Sequence, residues 1–122
     1  MLDMYAEEIL ERYKDPVNKG SIKNTAAEAH ETNPLCGDSL DIYLKIEGGK
    51  ISGAKFNGFG CAISQAAADI LLDTVKGKNV KDVKMLSKGS FLSALGVSLS
   101  PARLKCALLS WHALMMALER AG

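Results

Sequence analysis

Apolar and polar positions alternate most cleanly between residues 39 and 57. In SLDIYLKI, Leu40, Ile42, Leu44 and Ile46 fall on one side of an extended chain, and Asp41, Tyr43 and Lys45 on the other. That is the period of a half-buried strand. Gly48-Gly49 supplies a hairpin turn, and KISGAKFNG returns as the partner strand, with Ile51 and Phe56 available to a core. Gly53 between them marks a candidate bulge. Elsewhere the period lengthens. Tyr5, Ile9, Leu10 and Tyr13 recur at helical spacing across residues 3–14, with Asp3 as the start cap and Asp15-Pro16 as the stop, because proline disfavours helix at the residue before it. A second helix is predicted from Ala62 to Lys76, closed by Gly77. Residues 80–86 and 88–95 read as one or two short helices. Ser100-Pro101 opens a last helix, with Ser as N-cap and Pro in the first turn, running to Arg120 with Leu104, Leu108, Trp111, Met115 and Leu118 as its core stripe. Residues 17–26 read as loop and 27–32 as a weak extended segment. The elements together predict an α+β fold, a small antiparallel sheet covered by helices mostly on one face.

The chain has 122 residues, shows no internal repeat or linker, and is read as a single domain over 1–122. A net charge of +1 argues against a large nucleic-acid footprint, which needs a surplus of Lys and Arg. The opening MLDMYAEEIL is acidic and lacks the basic and apolar regions of a secretory signal. The longest apolar stretch, Cys106 to Leu118, is interrupted by Ser110 and His112 and falls short of the roughly 20 residues a membrane span needs. The expectation is a cytoplasmic protein with neither membrane nor nucleic acid as a partner.

Three cysteines, an odd number without an export signal, favour reduced thiols over a disulfide framework. Cys36 and Asp38 flank Gly37 after an Asn33-Pro34 turn. Two residues apart on an extended chain, thiolate and carboxylate point the same way and suit one metal. A loop with a buried cysteine and an exposed aspartate accounts for the same letters. Cys61 follows Gly58-Phe59-Gly60 and opens a helix, where the positive end of the macrodipole favours a thiolate; an inert cysteine in a glycine-rich strand-to-helix turn is the other reading. Cys106 lies in the second turn of the last helix beside Arg103 and Lys105. Cations at a helix start are unfavourable unless anions gather there, although two solvated surface charges read equally well. No CxxC pair is present, so neither a zinc ribbon nor a ferredoxin pattern applies, and the thiols can meet only through the fold. His112, about 600° around the helix from Cys106, reads as a packed or partly exposed helix residue, and His30 as exposed. Asp69 and Asp73, four apart with Lys76 nearby, read as a solvated face.

The motifs in order resemble the IscU/SufU/NifU N-terminal family of iron–sulfur assembly proteins. YAEEILERYKDPVNKGSI is similar to the family's opening helix and loop, followed by NPLCGD at 33–38, GFGCAISQAAAD at 58–69 and PARLKCALLSWHAL at 101–114. The resemblance implies an IscU-like fold with a three-stranded antiparallel sheet. It makes Cys36, Cys61 and Cys106 the family cysteines and Asp38 the family aspartate. Two departures stand out. Lys105 occupies the place where the IscU branch carries histidine, as in the SufU branch, yet the extra SufU stretch between the second and third cysteines is missing. Leu99-Ser100-Pro101-Ala102-Arg103 also replaces the LPPVK-like chaperone segment of IscU.

Two mechanisms follow from the resemblance. In the first, a scaffold receives sulfur from a cysteine desulfurase as persulfide on Cys106 or Cys61. It takes iron and electrons from a donor such as a ferredoxin, builds a transient [2Fe–2S] cluster on Cys36, Asp38, Cys61 and Cys106, and passes it to apo iron–sulfur proteins. A homodimer sharing the cluster is another assembly route. In the second, the same four groups hold zinc and the protein is a SufU-like sulfur acceptor, a sulfurtransferase. A plain structural zinc module is the third reading, and it accepts no sulfur.

Overall fold

A computed structural model of the protein describes residues 4–25, 27–33, 37–96 and 99–121, with side chains from residue 7 onward. The chain runs α1 (Met4–Lys14), β1 (Ala27–Asn33), β2 (Asp38–Glu47), β3 (Lys50–Phe59), α2 (Ala62–Val75), α3 (Val80–Lys84), α4 (Lys88–Leu95) and α5 (Pro101–Arg120). The strands form one antiparallel sheet in the order β1-β2-β3, so the α+β architecture and the three-stranded sheet are as expected. Gly48 and Gly49 turn the β2–β3 hairpin with φ of +59° and +76°, the backbone that lets a two-residue turn match strand twist. The register then slips: Lys45 faces Gly53, but Ile46 faces Ile51, leaving Ser52 as the extra residue of a bulge. The bulge explains why the buried positions of β3 are Ile51, Ala54 and Phe56, which no single period of two connects.

Leu40, Ile42, Leu44, Ile51 and Phe56 form the sheet's side of the core, and Leu71, Leu72, Leu114 and Leu118 the helical side. α5 packs on β1, β2 and α2, while α2 bridges α5, β3 and α1. The edge of β3 is covered by the chain itself: Phe56 N–H donates to Asn18 O (2.9 Å), and Gly20 N–H to Phe56 O (2.8 Å).

Two expectations are corrected. Of the α5 stripe read from sequence only Leu118 is fully buried, whereas Leu104, Leu108, Trp111 and Met115 are half-buried. The face pressed into the core carries Ala107, Ser110, Ala113, Leu114 and Ala117. Small side chains let the helix backbone approach the sheet closely, and the larger apolar groups pack around its flanks; Trp111 donates from Nε1 to Leu86 O at 2.9 Å. Apolar periodicity does not tell small from large and so chose the wrong stripe. In α1, Ile9 is buried, but Leu10 and Tyr13 are exposed, because among the described residues α1 packs chiefly on α2 and holds it largely through polar groups. Asp3 and the Tyr5 side chain lie outside the described residues.

Candidate metal centre

Cys61 is the N-cap of α2, with extended backbone, and its sulfur accepts a hydrogen bond from Ser64 N–H at 3.5 Å. Cys106 sits near the start of α5, buried, its thiol donating to Ala102 O at 3.6 Å. Ser100 caps that helix and Pro101 begins it, as the sequence predicts. Cys61 thus caps the 14-residue α2 at its N-terminal end, where the macrodipole favours negative charge, whereas Cys106 lies in the second turn of the 20-residue α5.

Asp38 opens β2. The pairing of Ser39 with Phe59 brings it beside the end of β3 and hence beside Cys61. Its Oδ1 accepts from Cys61 N–H at 2.8 Å, and the Cys61 thiol lies 3.7 Å from Oδ2. This close approach depends on two glycines with left-handed φ. A Cβ on Gly60 (φ +143°) would fall 2.1 Å from Asp38 Oδ1, and one on Gly58 (φ +147°) 2.0 Å from Ser39 O. The carboxylate is 1% exposed, and no Lys, Arg or His among the described residues pairs with it. The ligand atoms of Asp38, Cys61 and Cys106 lie within 4.8 Å of one another, a group that could hold a metal ion. Two soft sulfurs and one oxygen suit zinc or an iron–sulfur unit.

Cys36, the fourth expected ligand, lies outside the described residues, two positions before Asp38. Arg103 and Lys105 are exposed on α5. His112 is exposed and stacks edge-on against Trp111. His30 is exposed and pairs with Asp41 across the sheet. The reading of Asp69 and Asp73 as a solvated face fails at Asp69, while Asp73 is part-exposed beside Lys76. Asp69 is fully buried and accepts from Arg12 Nη1 (2.9 Å), Asn18 N–H (2.8 Å) and Asn18 Nδ2 (3.1 Å). Asp73 accepts from Arg12, from Asn18 Nδ2 (3.1 Å) and from Lys76 Nζ (3.2 Å). Burial works to raise the Asp73 carboxyl, but the bonds from Arg12, Asn18 and Lys76 outweigh it and hold the pKa at about 2. The signal was available: Asp69 interrupts the apolar run AISQAAADILL, and a lone acid in such a run needs a cation from another element.

A profile of the NifU-like N terminal domain matches residues 4–120. The chain belongs to this family. Among curated NifU-like relatives it is 36% identical to the zinc-dependent sulfurtransferase SufU of Bacillus subtilis, covering 91% of this chain and 86% of that one. It is 31% identical to the iron–sulfur cluster assembly scaffold protein IscU of Thermotoga maritima, covering 96% and 94%. Among solved structures it superposes with a TM-score of 0.76 and 30% identity on the SUF-system scaffold protein of Fervidobacterium islandicum, described there as putative, over 92% of this chain and 94% of that one. Among the described residues no helix is long and apolar enough to cross a membrane.

Proposed function

We propose that this NifU-like chain is an iron–sulfur cluster assembly scaffold that holds its cargo on Cys36, Asp38, Cys61 and Cys106. The observation that carries the reading is the Asp38 carboxylate, buried beside two cysteine sulfurs with no protein cation paired to it among the described residues. A buried carboxylate is costly without positive charge nearby, and a metal is the cation that two adjacent sulfurs would hold with it. Asp38, pinned by Cys61 N–H, offers Oδ2 toward the sulfurs. Ser64 N–H is directed at the Cys61 sulfur from the first turn of α2.

Sulfur arrives as the persulfide of a cysteine desulfurase. A thiolate of this chain attacks the outer sulfur, the S–S bond of the donor breaks, and the donor cysteine leaves as thiolate while the new S–SH stays here. Cys61 is part-exposed and Cys106 buried, so Cys61 is the more accessible of the two candidates. Electrons from a donor such as a ferredoxin reduce the sulfur to sulfide, and the finished [2Fe–2S] unit leaves for apo-proteins in the cytoplasm.

The relation to a zinc-dependent sulfurtransferase, together with Lys105, favours a second reading in which the same donors hold zinc. Bound zinc would orient the thiols, and release of one of them would permit sulfur transfer. The two are separated by anaerobic reconstitution of the metal-free chain with iron, cysteine and a cysteine desulfurase, followed by the visible spectrum and metal content. A stable iron–sulfur spectrum that disappears on Cys61→Ser or Cys106→Ser supports the scaffold. Retained zinc, no cluster and a desulfurase accelerated by the zinc form support the sulfur acceptor.

A further inference from the structure

The two edges of the sheet are treated differently by the fold. At β3 the backbone groups of Phe56 are taken by Asn18 and Gly20. They therefore point away from β2, which makes Ile42–Phe56 a non-hydrogen-bonded pair and turns the N–H and C=O of Ile42 toward Ala29 of β1. Alternation then points the backbone groups of Glu28, His30 and Thr32 outward, away from the sheet. The contact from Arg120 Nη1 to Glu28 O (3.3 Å) fits this register. At His30 and Thr32 no described backbone or side chain takes up these outward groups. The strand, AEAHETN, has no proline, no lysine and no register shift, three of the usual means by which an exposed edge is blunted; its charged side chains are Glu28 and Glu31.

Beside this edge lies a depression of about 250 Å³ between the end of β1 and one stripe of α5. Leu108, Leu109, Lys105 and His112 line it from α5, and Glu31 from the strand. We propose that the β1 edge from His30 to Thr32 takes an extended segment of a partner protein as a fourth strand. An apolar side chain of that segment seats on Leu108 and Leu109, and a carboxylate meets Lys105. Backbone pairing supplies affinity and the depression supplies selectivity, as in other cases of strand addition. Arg120 closes the lower end at Glu28, so the open stretch is short and favours a brief extended segment over a long one. Lys105 adjoins Cys106 in sequence, so a segment seated here brings its parent protein to the thiol end of the molecule. The proposal does not depend on which metal that site holds.

The test uses the isotope-labelled full chain, amide exchange by NMR, and a blocked pentapeptide alternating valine and aspartate. Without peptide, the amides of His30 and Thr32 should exchange rapidly while those of Ala29 and Glu31 are protected. At a peptide concentration ten times its Kd, exchange at His30 and Thr32 should slow about tenfold. The same peptide methylated on its bonding amide nitrogens should do nothing, and Thr32→Pro or Leu108→Lys should abolish the effect. The proposal fails if the His30 and Thr32 amides are already protected in the monomer, or if the methylated peptide binds equally well. Protection that rises with protein concentration alone would assign the edge to a second copy of the chain and overturn it. The methylated peptide keeps the test decisive on the unaltered protein even if Thr32→Pro does not fold.

Discussion

Asp38 and Asp69 are both aspartates with almost no solvent contact, 1% and 0% exposed; Asp69 belongs to α2, and Asp38 is bonded to the N-cap of that helix. Around Asp69 every need of a buried carboxylate is met from within the chain: a guanidinium from α1, a backbone N–H and a carboxamide from Asn18. Around Asp38 there is one backbone N–H and two sulfurs. The first arrangement is complete and ties α1 and the following loop to α2. The second has donors arranged about a point with no positive charge supplied by the described residues. Charge balance, more than residue type, separates an anchoring cluster from a ligand-holding one, since an unpaired buried charge is costly whatever its neighbours.

The largest effect should come from removing the cation at the complete cluster. Arg12→Ala strands the Asp69 carboxylate and should cost about 3 kcal/mol of stability, read as a lower urea midpoint, with or without metal. Next comes loss of a candidate ligand. Cys106→Ser should weaken zinc binding by more than the roughly 10–100-fold expected for a supporting residue, with the metal-free fold nearly unchanged by circular dichroism. Gly60→Ala should move metal affinity in the same direction, because its methyl would displace Asp38 Oδ1. If Cys106→Ser instead behaved like Arg12→Ala and lowered metal-free stability, the site would be an anchoring cluster too.

A smaller effect sharpens the contrast through its sign. Asp38→Asn keeps shape and an acceptor for Cys61 N–H but removes an unpaired buried charge. In metal-free protein it should raise stability by about 1 kcal/mol, whereas Asp69→Asn should lower it, both seen as shifts in thermal midpoint. Equal signs would remove the distinction. The smallest effect is acid dependence. The Asp73 pKa, held near 2 in the fold, lies below the roughly 3.9 of an unstructured aspartate. Its stabilising contribution is therefore full above that value and declines as pH falls toward 2. About a third of the side chain is exposed, so solvent screening keeps the contribution modest. The stability difference between the wild type and Asp73→Asn should shrink across this window, and a constant difference would show that the Asp73 charge is not what Arg12 and Lys76 hold.

The candidate site was legible chiefly through the family resemblance; local signs alone favoured a reactive thiol only at Cys61, after Gly-Phe-Gly at a helix start, and left Cys36, Asp38 and Cys106 open. Asp69 was misread for the complementary reason. Its partner Arg12 lies 57 residues away; the apolar run around Asp69 marks its burial but not the identity of its partner, so Lys76 took the role by proximity in sequence. The α5 stripe failed in a similar way, since the depth to which a residue sinks depends on the element packed against it.

By itself the sequence determined where elements start, stop and turn, because caps, Gly48-Gly49, Pro101 and side-chain period act within a few residues. Through the family resemblance it also pointed to the thiols and Asp38 as one candidate ligand set. Tertiary structure alone decided that Asp38, Cys61 and Cys106 meet. It also decided that Asp69 is neutralised from α1 and that one sheet edge is closed while the other, among the described residues, is open from His30 to Thr32. Those outcomes depend on strand register, on the bulge at Ser52 and on how closely small residues let α5 approach. Such contacts join residues far apart in the chain, where local preference carries no information.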